Sequence, residues 1–261
     1  MRKIALINQF QDLDISLSVF AKLAQEGKRV LIVDLRANKT KELTDESTNS
    51  FQFLNELDKP EKYIKTLEPN LDIIEGHRYI NFQEFNLFYD LFKLQYFENK
   101  FDHLNYDYLV FENSSELSLL TLNSLFYVDE MMLVLDCDEL GHDFACKAAR
   151  FGYNFNKLYW KNIFFSKIIP VFREKANVEI YNFLLSEFTS NLISHPIVLK
   201  SKVLRESLSR ASFSIIADEK KFDSTVTEDK KQRSINEYLN IMSETANVEV
   251  PLTKFLNEKK S

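Results

Sequence analysis

Along the chain, short runs of consecutive apolar residues alternate with stretches in which apolar positions recur every three to four residues. Residues 3–8 (KIALIN) form such a run and predict a strand buried on both faces. Residues 16–26 place Val19, Phe20, Leu23 and Ala24 at helical spacing, and Gly27 stands where that helix would end. Residues 30–34 (VLIVD) repeat the buried-strand pattern. Strand, helix, glycine turn and strand in so short a span is a βαβ unit, which predicts a parallel sheet. Further on the pattern predicts a polar loop over 36–50, a short helix over 51–57 ahead of Pro60 and a brief strand over 71–74. A helix over 83–104 is expected to turn Phe85, Phe88, Tyr89, Phe92 and Tyr96 toward the core. Strands follow over 108–112, 131–135 and 163–171, with helices over 117–126, 139–151 and 178–192. A short extended run over 213–217 and a helix over 234–244 close the series.

The expected fold is α/β: a three-layer, mostly parallel twisted sheet of six to eight strands with helices on both faces, in one domain over 1–261. Residues 218–233 are dense in charge and lack an aliphatic face, which predicts a mobile loop, and residues 246–261 read as a loosely docked tail. Composition narrows the function. A hydrophobic share of 45% and a charged share of 28% are those of an ordinary globular chain and exclude disorder or a disulfide scaffold. Only 4 glycines occur in 261 residues, which leaves little material for a phosphate-cradling loop. The net charge of −6 is uneven: residues 1–145 hold 14 Lys/Arg against 26 Asp/Glu, and residues 146–261 hold 19 against 13. A basic second half leaves room for a local anion-binding patch. Two cysteines, Cys137 and Cys146, without a leader or a long apolar span, predict a cytoplasmic protein.

The order of motifs resembles the ParA/MinD (Soj-like) family of deviant-Walker P-loop ATPases, which position plasmids, chromosomes and other cargo. Ile4 to Gln9 (IALINQ) looks like the family's opening strand, and Leu23 to Asp34 (LAQEGKRVLIVD) like its first helix end and second strand. Tyr106 to Leu125 (YDYLVFENSSELSLLTLNSL), then Val128 to Glu130 and Leu133 to Leu135, is the most specific match. Ile197 to Ile215, with Val203, Arg205, Glu206, Ser207 and Ser214, is similar to the segment after the last core strands. The resemblance implies a P-loop NTPase-like fold, a dimer, an adaptor of the ParB kind and non-specific DNA as partners.

The catalytic loop departs from that pattern. Where the family carries Lys-Gly-Gly-x-Gly-Lys-Thr, this chain has Phe10, Gln11, Asp12, Leu13, Asp14, Ile15 and Ser16. Only Ser16 matches, at the magnesium-binding position. Phe10 stands for the lysine that reaches a dimer partner's phosphates and Ile15 for the lysine on the β/γ-phosphates. A phosphate nest needs backbone conformations and close approach that glycine supplies, whereas Asp12 and Asp14 bring carboxylates. Unit charges ~5 Å apart at an effective dielectric of ~20 interact by roughly 3 kcal/mol. Turning attraction into repulsion at two sites therefore costs several kcal/mol, about four or more decades of affinity. The same aspartates suit the cap of the first helix. Asp34 matches the acidic residue used near the attacking water, but Arg36 and Ala37 follow in place of Asp-Pro. Glu112 stands for the magnesium-organising Asp, with Asn113, Ser114 and Ser115 after it.

Other constellations carry less. Cys137, His142 and Cys146 have a spacing that a metal could use, yet they read as small core thiols and a surface histidine, and no metal is expected. Lys200, Lys202, Arg205 and Arg210 are the candidate DNA contacts. The tail at Leu252, Phe255 and Leu256 offers too few apolar anchors for a membrane, so no membrane partner is expected. The leading expectation is a ParA-like partition or cargo-positioning protein that is a pseudo-ATPase: it acts by dimerisation, as a homodimer or with a family relative, and by binding partners or DNA, with no nucleotide cofactor. One alternative is a true ATPase that holds ATP and magnesium through Ser16, Asp34 and Glu112. Another is an adaptor of a secretion, motility or conjugation machine that does not touch DNA.

Overall fold

The computed structural model describes residues 1–10, 15–37, 49–56, 59–77, 79–80, 97–172, 178–188, 192–193 and 197–198, a few of them by backbone alone. Eight strands form one sheet: β1 (Arg2–Asn8), β2 (Val30–Asp34), β3 (Lys65–Glu68), β4 (Leu71–Ile74), β5 (Tyr108–Ser114), β6 (Glu130–Asp136), β7 (Phe164–Phe172) and β8 (Ile197–Val198). Their order across the sheet is β3-β4-β2-β5-β1-β6-β7-β8, and every pairing is parallel except β3 with β4. The helices are α1 (Ile15–Gln25), α2 (Ser50–Glu56), α3 (Leu119–Tyr127), α4 (Glu139–Tyr159) and α5 (Val178–Glu187), with a 3₁₀ turn at Pro60–Tyr63.

The central strands are apolar at consecutive positions because both faces of the sheet are covered. Ala5, Ile7, Leu31, Val33, Leu109 and Phe111 point to a core shared with α2, α3, α4 and α5. Ile4, Leu6, Val30, Ile32 and Val110 point to the opposite core, which α1 covers with Leu17, Phe20, Ala21 and Ala24. That is the expected three-layer arrangement. Gly27 ends α1 as the pattern predicted: at φ 85° its N–H donates to Ala24 O, and the Lys28 N–H reaches Leu23 O.

Four elements differ from the expectation. β3 was not anticipated, because its charged, partly exposed residues pair only at a sheet edge. α4 continues eight residues past 151, since Gly152, Phe155 and Asn156 keep its buried stripe going. The Asn156 amide closes the helix end by donating to Ile163 O and accepting from Ile163 N. Residues 97–104, expected within a helix, form turns, and the aromatic stripe at 85–96 lies outside the described residues. Phe97 and Phe101 nonetheless fill the core, ring against ring with Phe53 and Phe111. Finally, α5 stops at Glu187 rather than at 192. The segments expected over 213–217, 218–233, 234–244 and 246–261 lie outside the described residues.

Candidate functional site

The strand order reverses direction about β1, which lies between β5 and β6, so the carboxyl ends of β1, β2, β5 and β6 meet at a topological switch point. In open parallel sheets ligands bind there. The residues at these ends are Asn8, Asp34, Glu112 and Asp136, and Asp34 lies directly opposite Glu112 in the β2–β5 register. Two carboxylates on adjacent strands, 2% and 1% exposed, repel each other unless a cation sits between them.

That cation is Arg36. The chain turns just after β2: the Arg36 N–H donates to Asp34 Oδ1 at 3.0 Å, a short polar turn that folds the arginine back over the strand end. Arg36 Nε donates to Asp34 Oδ1 at 3.0 Å and Nη2 to Asp34 Oδ2 at 3.2 Å. Nη1 lies 2.9 Å from Glu112 Oε1. The guanidinium is as buried as its partners, so the three groups form one desolvated ion triad. Its planar fork explains why arginine and not lysine serves here.

The surroundings lock this triad. Asn8 Nδ2 donates to Glu112 Oε1 at 3.0 Å, while Asn8 Oδ1 accepts from Phe10 N at 2.9 Å. One amide thereby ties Glu112 to the start of the loop after β1. Gln9 Oε1 accepts from Asp136 N at 2.8 Å, joining that loop to β6. Gly76 covers the opposite side: a Cβ there would come within 2.8 Å of both Asp34 Oδ2 and Arg36 O. Glycine is needed because the backbone passes against the carboxylate.

The expected site residues are thus only partly brought together. Asp34 and Glu112 meet, as the resemblance implied, but through Arg36, which the sequence reading took only as a lost Asp-Pro. Phe10 is buried in the α1-side core with Leu6 and Leu17, so it packs inward instead of reaching a partner. Ile15 and Ser16 lie in the first turn of α1, and nothing is described of their side chains. Gln11, Asp12, Leu13 and Asp14 lie outside the described residues, as do Lys200, Lys202, Arg205 and Arg210. Cys137 follows β6 directly, and Cys146 sits in α4 with its sulfur 3.7 Å from His142 Nε2. Burial beside Asp136 and Asp138 pushes the Cys137 thiol up to about 12. No group of three His, Cys, Asp or Glu side chains suits a metal among the described residues. No helix among them is long and apolar enough to cross a membrane.

The roles of Asn8, Arg36 and Gly76 at this site carry no motif in the sequence. Only the Asp-x-Arg spacing after an apolar strand hinted at Arg36. A family model described as an AAA domain matches residues 11–148. Among solved structures, apo McdA from Cyanothece aligns at a TM-score of 0.71 with 13% identity, over 92% of this chain and 100% of its own. An ATP complex of a single-substitution variant of the same McdA aligns at 0.73 with 10% identity, over 95% and 98%. A plasmid partition protein from Borrelia burgdorferi bound to AMPPNP aligns at 0.65 with 18% identity, over 94% and 99%. No curated protein matches in sequence. At such identities the structural likeness establishes the three-layer fold.

Proposed function

The chain belongs to the ParA/MinD-like family of AAA-domain P-loop proteins, and on that premise we propose that it is a cytoplasmic partition or cargo-positioning protein that works by binding, as a pseudo-ATPase. The observation that carries this reading is the Asp34–Arg36–Glu112 triad. The carboxylates that would organise a divalent ion beside ATP already share a tethered cation, which leaves the triad a single net negative charge. A metal at that place would have to displace Arg36 from both carboxylates inside the protein, a large penalty. These residues therefore do not fit a magnesium–nucleotide site, and the loop composition at Gln11, Asp12, Asp14 and Ile15 agrees.

A scaffold without a nucleotide switch has to associate through its own side chains. We take the protein to form a constitutive homodimer, or to pair with a family relative, and to engage an adaptor of the ParB kind. Lys200, Lys202, Arg205 and Arg210 are the proposed contacts to DNA phosphates. Sedimentation of the full chain with and without ATP and magnesium tests the reading. The expected result is one association state, unchanged by nucleotide. ATP-dependent dimerisation would overturn it and favour the ATPase alternative with Ser16, Asp34 and Glu112 at its centre.

A further inference from the structure

Among the described residues, the longest helix, α4, carries a feature remote from the Asp34–Arg36–Glu112 triad. On α4, residues Lys147, Arg150, Asn154, Lys157 and Leu158 are exposed along one arc. Just past the helix end stands Trp160, the only tryptophan in the chain, 94% exposed, with Leu158 69% exposed beside it. Lys161 follows in the open. Trp160 closes the helix at φ 55° and ψ 31°, a left-handed conformation unusual for so bulky a residue. Tyr159 is held against Phe126 and Phe155 at ring distances of 4.7 and 5.1 Å, so the tip rests on the core. Residues 144–173 contain no Asp or Glu and six Lys/Arg, although the whole chain is acidic.

We propose that the C-terminal end of α4 is a peripheral docking surface for an anionic lipid bilayer, with Trp160 and Leu158 entering the interface and Lys147, Arg150, Lys157 and Lys161 facing the headgroups. Leu158 and Trp160 stand largely in solvent, so a partner must receive them without a preformed pocket, which a fluid bilayer does. A DNA duplex would use the cations but leave Leu158 and Trp160 in water. Tryptophan favours the membrane–water interface, and a basic patch supplies the second signal that one small apolar tip needs. Because α4 links the parallel strands β6 and β7, it runs back along the sheet, and its tip lies at the opposite end from the Asp34–Arg36–Glu112 triad. Docking there leaves the switch-point face open to protein partners, and the inference stands whether or not nucleotide binds.

Trp160 is its own probe. Its emission is recorded for the full chain with vesicles of phosphatidylcholine alone and of phosphatidylcholine with phosphatidylglycerol, at low and high salt. A blue shift with the anionic vesicles alone, reversed by salt, is expected. In co-sedimentation, K157Q/K161Q should weaken partitioning about 25-fold, roughly fivefold per cation, and W160A should abolish it while circular dichroism stays unchanged. No shift with anionic vesicles would overturn the proposal. So would an emission change with single- or double-stranded DNA but not with vesicles. Sedimentation with vesicles that survives both variants would place the contact elsewhere and overturn it as well.

Discussion

Removing Arg36 is the most informative perturbation of the candidate site. In Arg36→Met the Asp34 and Glu112 carboxylates remain, 2% and 1% exposed, with their shared cation gone. Of the contacts described to Glu112, the Asn8 amide at 3.0 Å persists, while Asp34 loses both guanidinium donors. Breaking a buried ion pair by deleting one partner costs ~3–5 kcal/mol. That is a large share of the ~5–15 kcal/mol by which a domain is stable. Thermal unfolding followed by circular dichroism should therefore show a fall of roughly 6–20 °C for a chain of this size. The control is the triple variant D34N/R36M/E112Q, which removes all three charges and should regain most of the loss. A second arm uses Arg36→Ala, which leaves room between the carboxylates. Magnesium or manganese at ten times its dissociation constant should then stabilise the variant by about 1.4 kcal/mol, a few degrees, and leave the natural protein unmoved. An Arg36→Met protein within ~1 kcal/mol of the parent, or a triple variant no better than the single one, would refute the triad's role.

Three further outcomes follow from the geometry. Gly76→Ala should destabilise by ~1–3 kcal/mol in urea denaturation, because its methyl group would press on Asp34 Oδ2 and Arg36 O at 2.8 Å. Cys146 should react with a thiol reagent at pH 8 well before Cys137, whose thiol, pushed up to about 12, is ionised only about one part in ten thousand at that pH. Asp102 accepts from Lys3 Nζ at 2.7 Å and Tyr127 OH at 2.6 Å, and these bonds hold its carboxyl below the ordinary range. A carboxylate depressed in the folded state adds stability above its unfolded pKa and loses it as pH falls through the folded value. The penalty of Asp102→Asn should accordingly be full above about pH 5, shrink as pH falls below about 4 and vanish only well under the depressed folded value, read by denaturation across that range.

How much of this was legible in the chain depended on how local the cause was. β1, β2, β5 and β6 are apolar over consecutive residues because both faces are covered, so their positions could be read directly. The end of α4 is not legible in the sequence because its buried stripe passes through Gly152 and Asn156, residues that do not mark a helix core. Asn156 is satisfied only by Ile163, which lies beyond the helix. At the site, Asp34 and Glu112 are legible through the resemblance, whereas Gln11, Asp12, Leu13 and Asp14 lie outside the described residues. Arg36 was misjudged for a geometric reason: its role appears only when the chain folds it back between two carboxylates that lie far apart in sequence. Gly76 gave no signal beyond the rarity of glycine, since the atoms that forbid its Cβ come from another strand end.

Calorimetry decides whether Arg36, held between Asp34 and Glu112, closes this end of the sheet to a metal and nucleotide. ATP and ADP with magnesium are titrated into the natural protein and, in parallel, into D12G/D14G/I15K. No binding heat is expected from the natural protein. Micromolar binding to it would contradict the account and would return Ser16, Asp34 and Glu112 to the centre of a working nucleotide site.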